Sequence, residues 1–145
     1  MKIEEFNNIQ IVYMRRVGEY DSKNKLLMET FKTYLKRNGL FKIDAIILGI
    51  ALDNPLFVSK DKLRYDVGIV VTDNQIKSDL PVRSIPDGRY AIFEIQHTRE
   101  AISYFWRNVE RLTSNLSVDT TKPIIERYSV RKVVMHLCEF CIPLK

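Results

Sequence analysis

The sequence is poor in the residues that break a chain or cross-link it. Its 145 residues include five prolines, five glycines and two cysteines. So little proline and glycine excludes a collagen-like chain or a flexible linker. Hydrophobic residues make up 46% of the sequence, which is too many for a disordered chain. At this length we expect a single domain that buries enough surface to fold without disulfides or metal.

Long apolar segments are also missing. The longest uncharged apolar run, Ala45 to Leu52, is far shorter than the ~20 residues that a membrane-spanning helix needs. The N-terminus, Met1 to Glu5, is acidic where a secretory signal would be basic and then apolar. We therefore expect a soluble cytoplasmic protein that does not associate with membranes.

The sequence has no block of like charges, although its balance is basic. The formal net charge is +5, from 23 Lys and Arg against 18 Asp and Glu. The basic residues are scattered from Lys2 to Lys145, most have acidic neighbours, and no nucleic-acid-binding motif is visible. We interpret the charge as a solvated basic surface and expect no direct binding to DNA.

The sequence carries no familiar motif for catalysis, cofactors or metals. It has no Gly-x-Ser-x-Gly elbow, no glycine-rich phosphate loop and no cluster of metal ligands. Cys138 and Cys141 have C-x-x-C spacing, but they lie in an apolar segment typical of a strand. Residues three apart on a strand point to opposite faces, so the two thiols can share neither a disulfide nor a metal. We expect no cofactor and no metal, and an enzyme is the less favoured class.

What the sequence does contain is one pattern of elements used twice. Each half reads strand, helix, strand, strand, with helix caps at Asp21 or Ser22 in the first half and at Thr98 in the second. The first helix is predicted to end at Asn38-Gly39, because both residues tolerate the left-handed conformation of a C-cap. The predicted strands are Ile9–Val17, Ile46–Leu52, Leu63–Val71, Arg89–His97, Ile124–Val130 and Val133–Ile142.

These patterns predict an α+β domain of two β-α-β-β repeats related by a pseudo-two-fold axis. Repeat one covers about residues 6–74 and repeat two about residues 80–145, joined near residues 75–82. The repeat also shows weakly in the sequence, because Tyr65–Val71 lies over Cys138–Leu144 and both segments carry an acid before an apolar strand end. We expect one antiparallel sheet, two helices and a ligand cleft between the repeats.

Six short motifs cover nearly the whole chain in a recognisable order. They are Val17–Tyr20, Gly49–Pro55, Leu63–Gly68, Ile85–Phe93, Pro123–Tyr128 and Ile142–Leu144. In this order they resemble the GyrI-like small-molecule-binding domain, which also serves as the effector-binding module of AraC-type and related multidrug-sensing transcription regulators. The resemblance implies a pocket between the repeats that binds hydrophobic, often cationic compounds. The turn His97–Glu100 departs from the His-x-Gly-Pro that the family often has there.

The resemblance implies several functions. The first is a sensor or sequestering protein for multidrug-type ligands. Some relatives inhibit DNA gyrase, and some resemble hydrolases of cyclopropane-bearing genotoxins, so a gyrase-interacting inhibitor and a hydrolase are the alternatives. Regulators of the family also carry an N-terminal helix-turn-helix domain. This chain starts directly in the first repeat, so we expect a free-standing module that does not itself read an operator and that has gyrase or a regulator as a possible protein partner.

Glu126 is the sharpest candidate for a ligand-binding residue. On a strand it shares a face with Ile124, Tyr128 and Val130, whereas Arg127 points to the opposite face. A carboxylate among apolar groups is costly unless it is paired or takes up a proton. A lipophilic cation would supply the partner, and the alternative is a salt bridge to a neighbouring basic residue. The resemblance places the family's buried glutamate on the same residue.

Aromatic rings can hold a cation through their negative faces, for about 0.5–2 kcal/mol each. The candidates are Tyr13, Tyr20, Tyr65, Tyr90, Trp106 and Tyr128. Each could instead be ordinary core, and Tyr20 could pack at the start of the first helix. Glu139, on which an acid of the family's last strand falls, is either a second acid in the pocket or a surface charge. If the protein is a hydrolase, Glu126 would act as general acid or base with Tyr128 assisting.

Overall fold

A computed structural model describes residues 1–72 and 78–145. These residues form eight strands, two long helices and a short third one. The strands are β1 (Lys2–Phe6), β2 (Gln10–Val17), β3 (Ile46–Ala51), β4 (Arg64–Val70), β5 (Val82–Ser84), β6 (Gly88–Gln96), β7 (Ile125–Ser129) and β8 (Leu137–Pro143). The helices are α1 (Ser22–Arg37), α2 (Arg99–Leu112) and α3 (Val130–Val133), and a 3-10 turn spans Lys60–Lys62. Neither long helix among these residues has the length and apolar content needed to cross a membrane.

The strands form one curled antiparallel sheet in the order β1-β6-β8-β7-β3-β4-β2-β5. The six central strands are arranged symmetrically: from the middle of the sheet outward, one side has β3, β4 and β2, and the other has β7, β8 and β6. Each strand of the first half thus has an equivalent in the second half. A pseudo-two-fold axis therefore passes between β3 and β7, where the two halves pair through residues such as Leu48 and Arg127. The α+β class and the two-repeat arrangement expected from the sequence are confirmed.

Local side-chain contacts set the helix ends. The Asp21 carboxylate accepts a hydrogen bond from the backbone N–H of Lys23 and so caps α1. The Thr98 hydroxyl accepts from the N–H of Ala101 and caps α2 in the same way. Past the other end of α1, Gly39 has a φ of 67°, a left-handed conformation that glycine adopts without strain.

Three parts of the sheet differ from the sequence-based prediction. The pattern does not predict β1 or β5, which are the two edge strands and pair on one side only. The segment Val130–Val133 is helical, and the last strand begins at Leu137 instead of Val133. The β-branched residues of Val130–Val133 favour a strand. However, β7 and β8 are antiparallel neighbours in the sheet, so the chain must reverse its direction between them. The predicted end of repeat one at residue 74, and residues 75–77 of the junction, lie outside the described part of the chain.

The sheet is apolar on both faces, and the two long helices, α1 and α2, both lie on the same face. On the helix-bearing face, α1 buries Phe31 and Leu35, and α2 stacks Phe105 on Phe140 with 4.1 Å between ring centroids. The other face, here called the inner face, forms a single cluster that includes Phe6 and residues from strands at both ends of the sheet. The sheet thus curls around its inner face, and the space between α1 and α2 on the helix-bearing face is left for a cleft.

Candidate functional site

Glu126 lies on β7 beside the pseudo-two-fold axis and points to the helix-bearing face. Two tyrosines donate hydrogen bonds to its carboxylate. Tyr128, two residues along the same strand, donates to Oε2 at 2.6 Å, and Tyr65 of β4 donates to Oε1 at 3.2 Å. Tyr128 therefore shares a face with Glu126, as the strand alternation predicts. The carboxylate is held in place by two hydroxyls from the two halves of the molecule.

A glycine makes the contact between Tyr65 and Glu126 possible. β3 lies between β4 and β7, so the Tyr65 side chain must cross β3 to reach the carboxylate. Gly49 of β3 pairs directly with Glu126. A Cβ at position 49 would lie 2.5 Å from the Tyr65 hydroxyl and 3.2 Å from Glu126 Oε1. The absence of a side chain at Gly49 is therefore a requirement of the site.

The electrostatics of Glu126 are set by burial. Glu126 is half-buried and keeps part of its surface open to the cleft, but the surrounding protein desolvates its carboxylate. This desolvation raises the pKa of Glu126 above the ordinary value, with the two tyrosine hydrogen bonds acting in the opposite direction. Among the described residues, none forms a salt bridge with Glu126, although this was one alternative expected from the sequence. Burial and the neighbouring carboxylate also raise the pKa of Tyr65 and Tyr128, so both stay protonated as donors at neutral pH.

Two cavities lined by described residues meet at the Glu126 carboxylate and form a cleft above it. The first has a volume of about 530 Å³ and lies between α1 and the first turn of α2. The second, of about 590 Å³, lies between the later part of α2 and the loop that follows β3. Three residues line both cavities: Asn24, Tyr65 and Glu126. Either cavity is large enough for a drug-sized molecule.

Besides Tyr65, two more of the predicted aromatic residues line the second cavity. The Tyr20 ring stands edge-on to Tyr65 with 6.3 Å between centroids, and its hydroxyl donates to the carbonyl of Arg64 at 2.7 Å. Trp106 of α2 stands edge-on to Phe140 at 5.2 Å and keeps 38% of its surface exposed. Together with Tyr65 and Tyr128, these rings place four predicted residues around Glu126.

The other three predicted residues lie on the inner face, away from both cavities. Tyr90 is fully buried against Phe6, with ring centroids 4.1 Å apart, and its hydroxyl donates to the carbonyl of Pro86. Tyr13 lies between two arginine side chains on the same face. Glu139 is 2% exposed and accepts from Arg127 at 2.9 Å, so it is neither a cleft acid nor a surface charge. The expectation that these residues line the cleft is corrected because each occupies the strand position whose side chain points inward.

The sequence analysis did not identify the cleft-lining face of α1. Asn24, Met28 and Lys32 of this helix line the first cavity, opposite His97 and Arg99 at the start of α2. Their spacing of four residues is the signal that they share one face, next to the buried face that carries Phe31 and Leu35. This spacing alone does not indicate a cleft, because a largely polar helix face is ordinarily exposed to solvent.

The two cysteines have the environment expected of packing residues. Cys138 and Cys141 are buried free thiols on β8, and Cys141 belongs to the inner-face cluster. Burial raises the pKa of each thiol to about 12. At neutral pH both are therefore protonated and unreactive.

The whole chain matches one protein family and a relative of similar length. Residues 1–145 match the family described as the GyrI-like small molecule binding domain. A relative from Bacillus subtilis (strain 168), named "SPbeta prophage-derived putative transcriptional regulator YosT", is 41% identical over 146 residues. That alignment covers 99% of this chain and 97% of the relative.

Solved structures share the fold at low sequence identity. SAV2435 bound to tetraphenylphosphonium aligns with a TM-score of 0.67 at 15% identity, covering 99% of this chain and 93% of that one. The C-terminal domain of EcmrR aligns with a TM-score of 0.65 at 13% identity, covering 99% and 96% of the two chains. In a complex of EcmrR with DNA, the alignment covers 98% of this chain and 56% of that one, with a TM-score of 0.64. On the full-length family match and the 41% identity to its relative, the chain belongs to the GyrI-like small-molecule-binding domain family.

Proposed function

We propose that the cleft binds hydrophobic cations and that Glu126 is their counter-charge. The observation that carries this proposal is the state of the Glu126 carboxylate: it is desolvated, its hydrogen-bond donors among the described residues are two neutral hydroxyls, and it opens into both cavities. A carboxylate has about four lone-pair positions. Tyr65 and Tyr128 occupy two of them, so the remaining side of the carboxylate is available to a cation in the cleft.

Each remaining residue of the site has a distinct role in this proposal. Tyr65 and Tyr128 hold the carboxylate in a fixed orientation, which avoids ordering it when the ligand binds. The faces of Tyr20 and Trp106 line the second cavity and supply apolar contact and cation–π attraction. A delocalised organic cation suits this site better than a metal ion or ammonium, because it gives up little hydration on entering an aromatic cleft.

One structural neighbour, SAV2435, is known with a ligand of this class. That protein was solved with tetraphenylphosphonium, a bulky cation whose charge is shielded by phenyl groups. At 15% identity the likeness shows the fold alone, so the argument for a cation in this chain rests on Glu126 and its surroundings. We propose that the protein acts in the cytoplasm as a ligand-sensing or sequestering module.

Titration with tetraphenylphosphonium, followed by calorimetry near neutral pH, tests this function. We expect binding by the unmodified protein and a loss of about 1–3 kcal/mol in Glu126→Gln, because a charge-assisted contact disappears. Glu5→Gln makes the same change of net charge on the exposed edge strand β1 and should bind normally. Equal affinity in the Glu126 and Glu5 variants would remove Glu126 from the site.

A hydrolase is the second candidate, favoured by a carboxyl group of raised pKa beside a tyrosine hydroxyl in an open cavity. In this reading Glu126 takes a proton from water, the water oxygen bonds to a ring carbon as the strained C–C bond breaks, and the proton passes from Glu126 to the carbon released, with Tyr128 assisting. Mass spectrometry of a cyclopropane-bearing electrophile would show a product heavier by one water, and Glu126→Gln would not form it. Binding without such a product excludes this alternative for the compound tested.

A further inference from the structure

Lys32 is an unusual residue in the first cavity. It lies on the cleft-lining face of α1, and its side chain is half-buried, whereas the other charged residues of that cavity wall on α1, Asp21, Lys25 and Glu29, are exposed. Burial lowers the pKa of the Lys32 ammonium, and the neighbouring charge of Lys36 lowers it further. The ammonium is thus held in a place that disfavours its charge.

No residue in the described ranges pairs with Lys32. It makes neither a salt bridge nor a side-chain hydrogen bond with any of them. Glu29, one turn earlier on α1, attracts the ammonium and opposes the lowering of its pKa, but Glu29 is exposed and its carboxylate is not within salt-bridge distance. His97, across the cavity, is itself desolvated and has a lowered pKa, to which the charge of Lys32 contributes. The lysine therefore faces a neutral imidazole and the open cavity.

Glu126 and Lys32 line the same cavity and do not pair with each other. Two desolvated opposite charges in one cavity usually form an ion pair, because their attraction offsets part of the cost of burial. Here the carboxylate is fixed by Tyr65 and Tyr128, and the ammonium is carried on a helix on the other side of the opening. The cleft thus holds a negative and a positive group that are kept apart.

The two cavities also differ in charge. Besides the shared Glu126, the first is lined by three basic residues, Lys25, Lys32 and Arg99, against Asp21 and Glu29. The second is lined by three acids, Asp53, Glu110 and Asp119, against one base, Lys122. The charges of the second cavity therefore favour a cation that extends into it from Glu126. The charges of the first cavity favour an anion near Lys32.

We propose that the ligand of this cleft is amphoteric: an apolar molecule with a delocalised cationic group at Glu126 and a carboxylate at Lys32. This inference rests on the proposed function and adds a second, anionic recognition element to it. A ligand of this kind neutralises both unpaired groups at once. A purely cationic ligand neutralises only Glu126 and leaves Lys32 without a partner.

A matched pair of fluorescent dyes tests the inference. Rhodamine 6G is a cationic ethyl ester, and rhodamine 19 is the corresponding free acid, which is a zwitterion near neutral pH. Affinities for both are measured by fluorescence anisotropy with the full chain, with Lys32→Met and with Lys23→Met. Lys23 lies in the first turn of α1 outside both cavities and controls for the change of net charge. Lys32→Gln, which keeps a polar end, guards against an effect of the added apolar group.

We expect the unmodified protein to bind the free acid more tightly than the ester. Lys32→Met and Lys32→Gln should each weaken the acid by about tenfold or more, the effect of losing a charge-assisted contact, and leave the ester almost unchanged. Comparing the ratio of the two affinities between variants cancels the difference in hydrophobicity between the dyes. Lys23→Met should keep the ratio of the unmodified protein.

The possible failures are distinguishable. If both dyes bind and Lys32→Met leaves the ratio of affinities unchanged, the amphoteric ligand is overturned while the cation site stands. If neither dye binds, or if Glu126→Gln binds both as tightly as the unmodified protein, the proposed function fails and the inference falls with it.

Discussion

At the scale of the single residue, Glu126 combines a cost in stability with the role in binding that we propose for it. Its carboxylate is desolvated, and the hydrogen bonds from Tyr65 and Tyr128 offset only part of that cost, because the pKa of Glu126 remains above its ordinary value. Such residues are typical of functional sites, where proteins give up stability for an interaction with a ligand. The cost in stability can be measured as a change in the free energy of unfolding when Glu126 is replaced.

Replacing Glu126 with Gln should stabilise the folded protein at neutral pH. Ionised Glu126 is disfavoured by folding at every pH above its raised pKa, and this penalty disappears as the pH falls below the ordinary value of 4.5. We expect Glu126→Gln to increase the free energy of unfolding near neutral pH, because the glutamine side chain carries no charge that burial penalises. The gain should shrink steadily as the pH is lowered toward 4.5.

Urea unfolding at a series of pH values measures this effect. Glu5→Gln, on the exposed edge strand, should show no comparable gain. A variant at position 126 that is less stable than the unmodified protein near neutral pH would mean that the tyrosine hydrogen bonds outweigh desolvation.

At the scale of the element, β3 determines whether the site can form. Its Gly49 leaves room for the Tyr65 side chain to cross from β4 to β7, and a methyl group there would lie 2.5 Å from the Tyr65 hydroxyl. We expect Gly49→Ala to displace Tyr65, to weaken tetraphenylphosphonium binding and to destabilise the fold by about 1–3 kcal/mol through overpacking.

A double-mutant cycle isolates this contact. Tyr65→Phe removes the hydroxyl that a Cβ at Gly49 would meet, and the next ring atom lies at an ordinary 3.4 Å. Gly49→Ala should therefore cost much less stability in the Tyr65→Phe background than in the unmodified protein. Additive effects on the free energy of urea unfolding would locate the strain elsewhere.

The strands and helices also show which parts of the fold the sequence patterns can predict. Strand β2 was predicted as Ile9–Val17 and spans Gln10–Val17, and the caps Asp21 and Thr98 are as expected, because turn residues and alternation act locally. The edge strands β1 and β5 could not be found in this way. They are short or largely exposed, and they form only because β6 and β2 offer unpaired edges.

At the scale of the whole molecule, the two halves each bury an acid on the inner face. Asp66 on β4 pairs with Arg15 and Arg83, and Glu139 at the equivalent place on β8 pairs with Arg127. The weak sequence repeat that aligned these two acids thus marks equivalent positions in the fold. Since both acids point away from the cleft, we infer that they stabilise the fold and do not contact the ligand.

Removing Arg127 should be among the more damaging single changes. Its guanidinium donates to Glu139, which is 2% exposed, and also to Glu4 of β1, so Arg127→Met leaves the buried carboxylate with Lys132, at 3.9 Å, as its remaining partner among the described residues and removes one contact to the edge strand. We expect a loss of about 2 kcal/mol or more in the free energy of unfolding. Lys60→Met, which removes an exposed pair with Glu19 at 3.7 Å, should cost less than about 1 kcal/mol in the same urea experiment.

Comparable losses in the Arg127 and Lys60 variants would show that the buried network contributes no more than a surface ion pair. Dye binding by folded Arg127→Met should be normal, because Arg127 lies on the face opposite the cleft. A selective loss of binding with the fold intact would contradict that separation of the two faces.

The sequence by itself determined the order of the main elements, the two-fold repeat, the family resemblance and Glu126 as a carboxylate on an apolar strand face. These follow from local patterns of hydrophobicity, turn residues and short motifs. The tertiary structure decided which side of each strand meets the cleft, since strand register and curl, and not alternation alone, place Tyr65 over Gly49 beside Glu126 and turn Tyr13, Tyr90 and Glu139 inward. It also brought Lys32 to the same cavity from a helix distant in sequence, because contact between α1 and the sheet is a property of packing that no local spacing encodes.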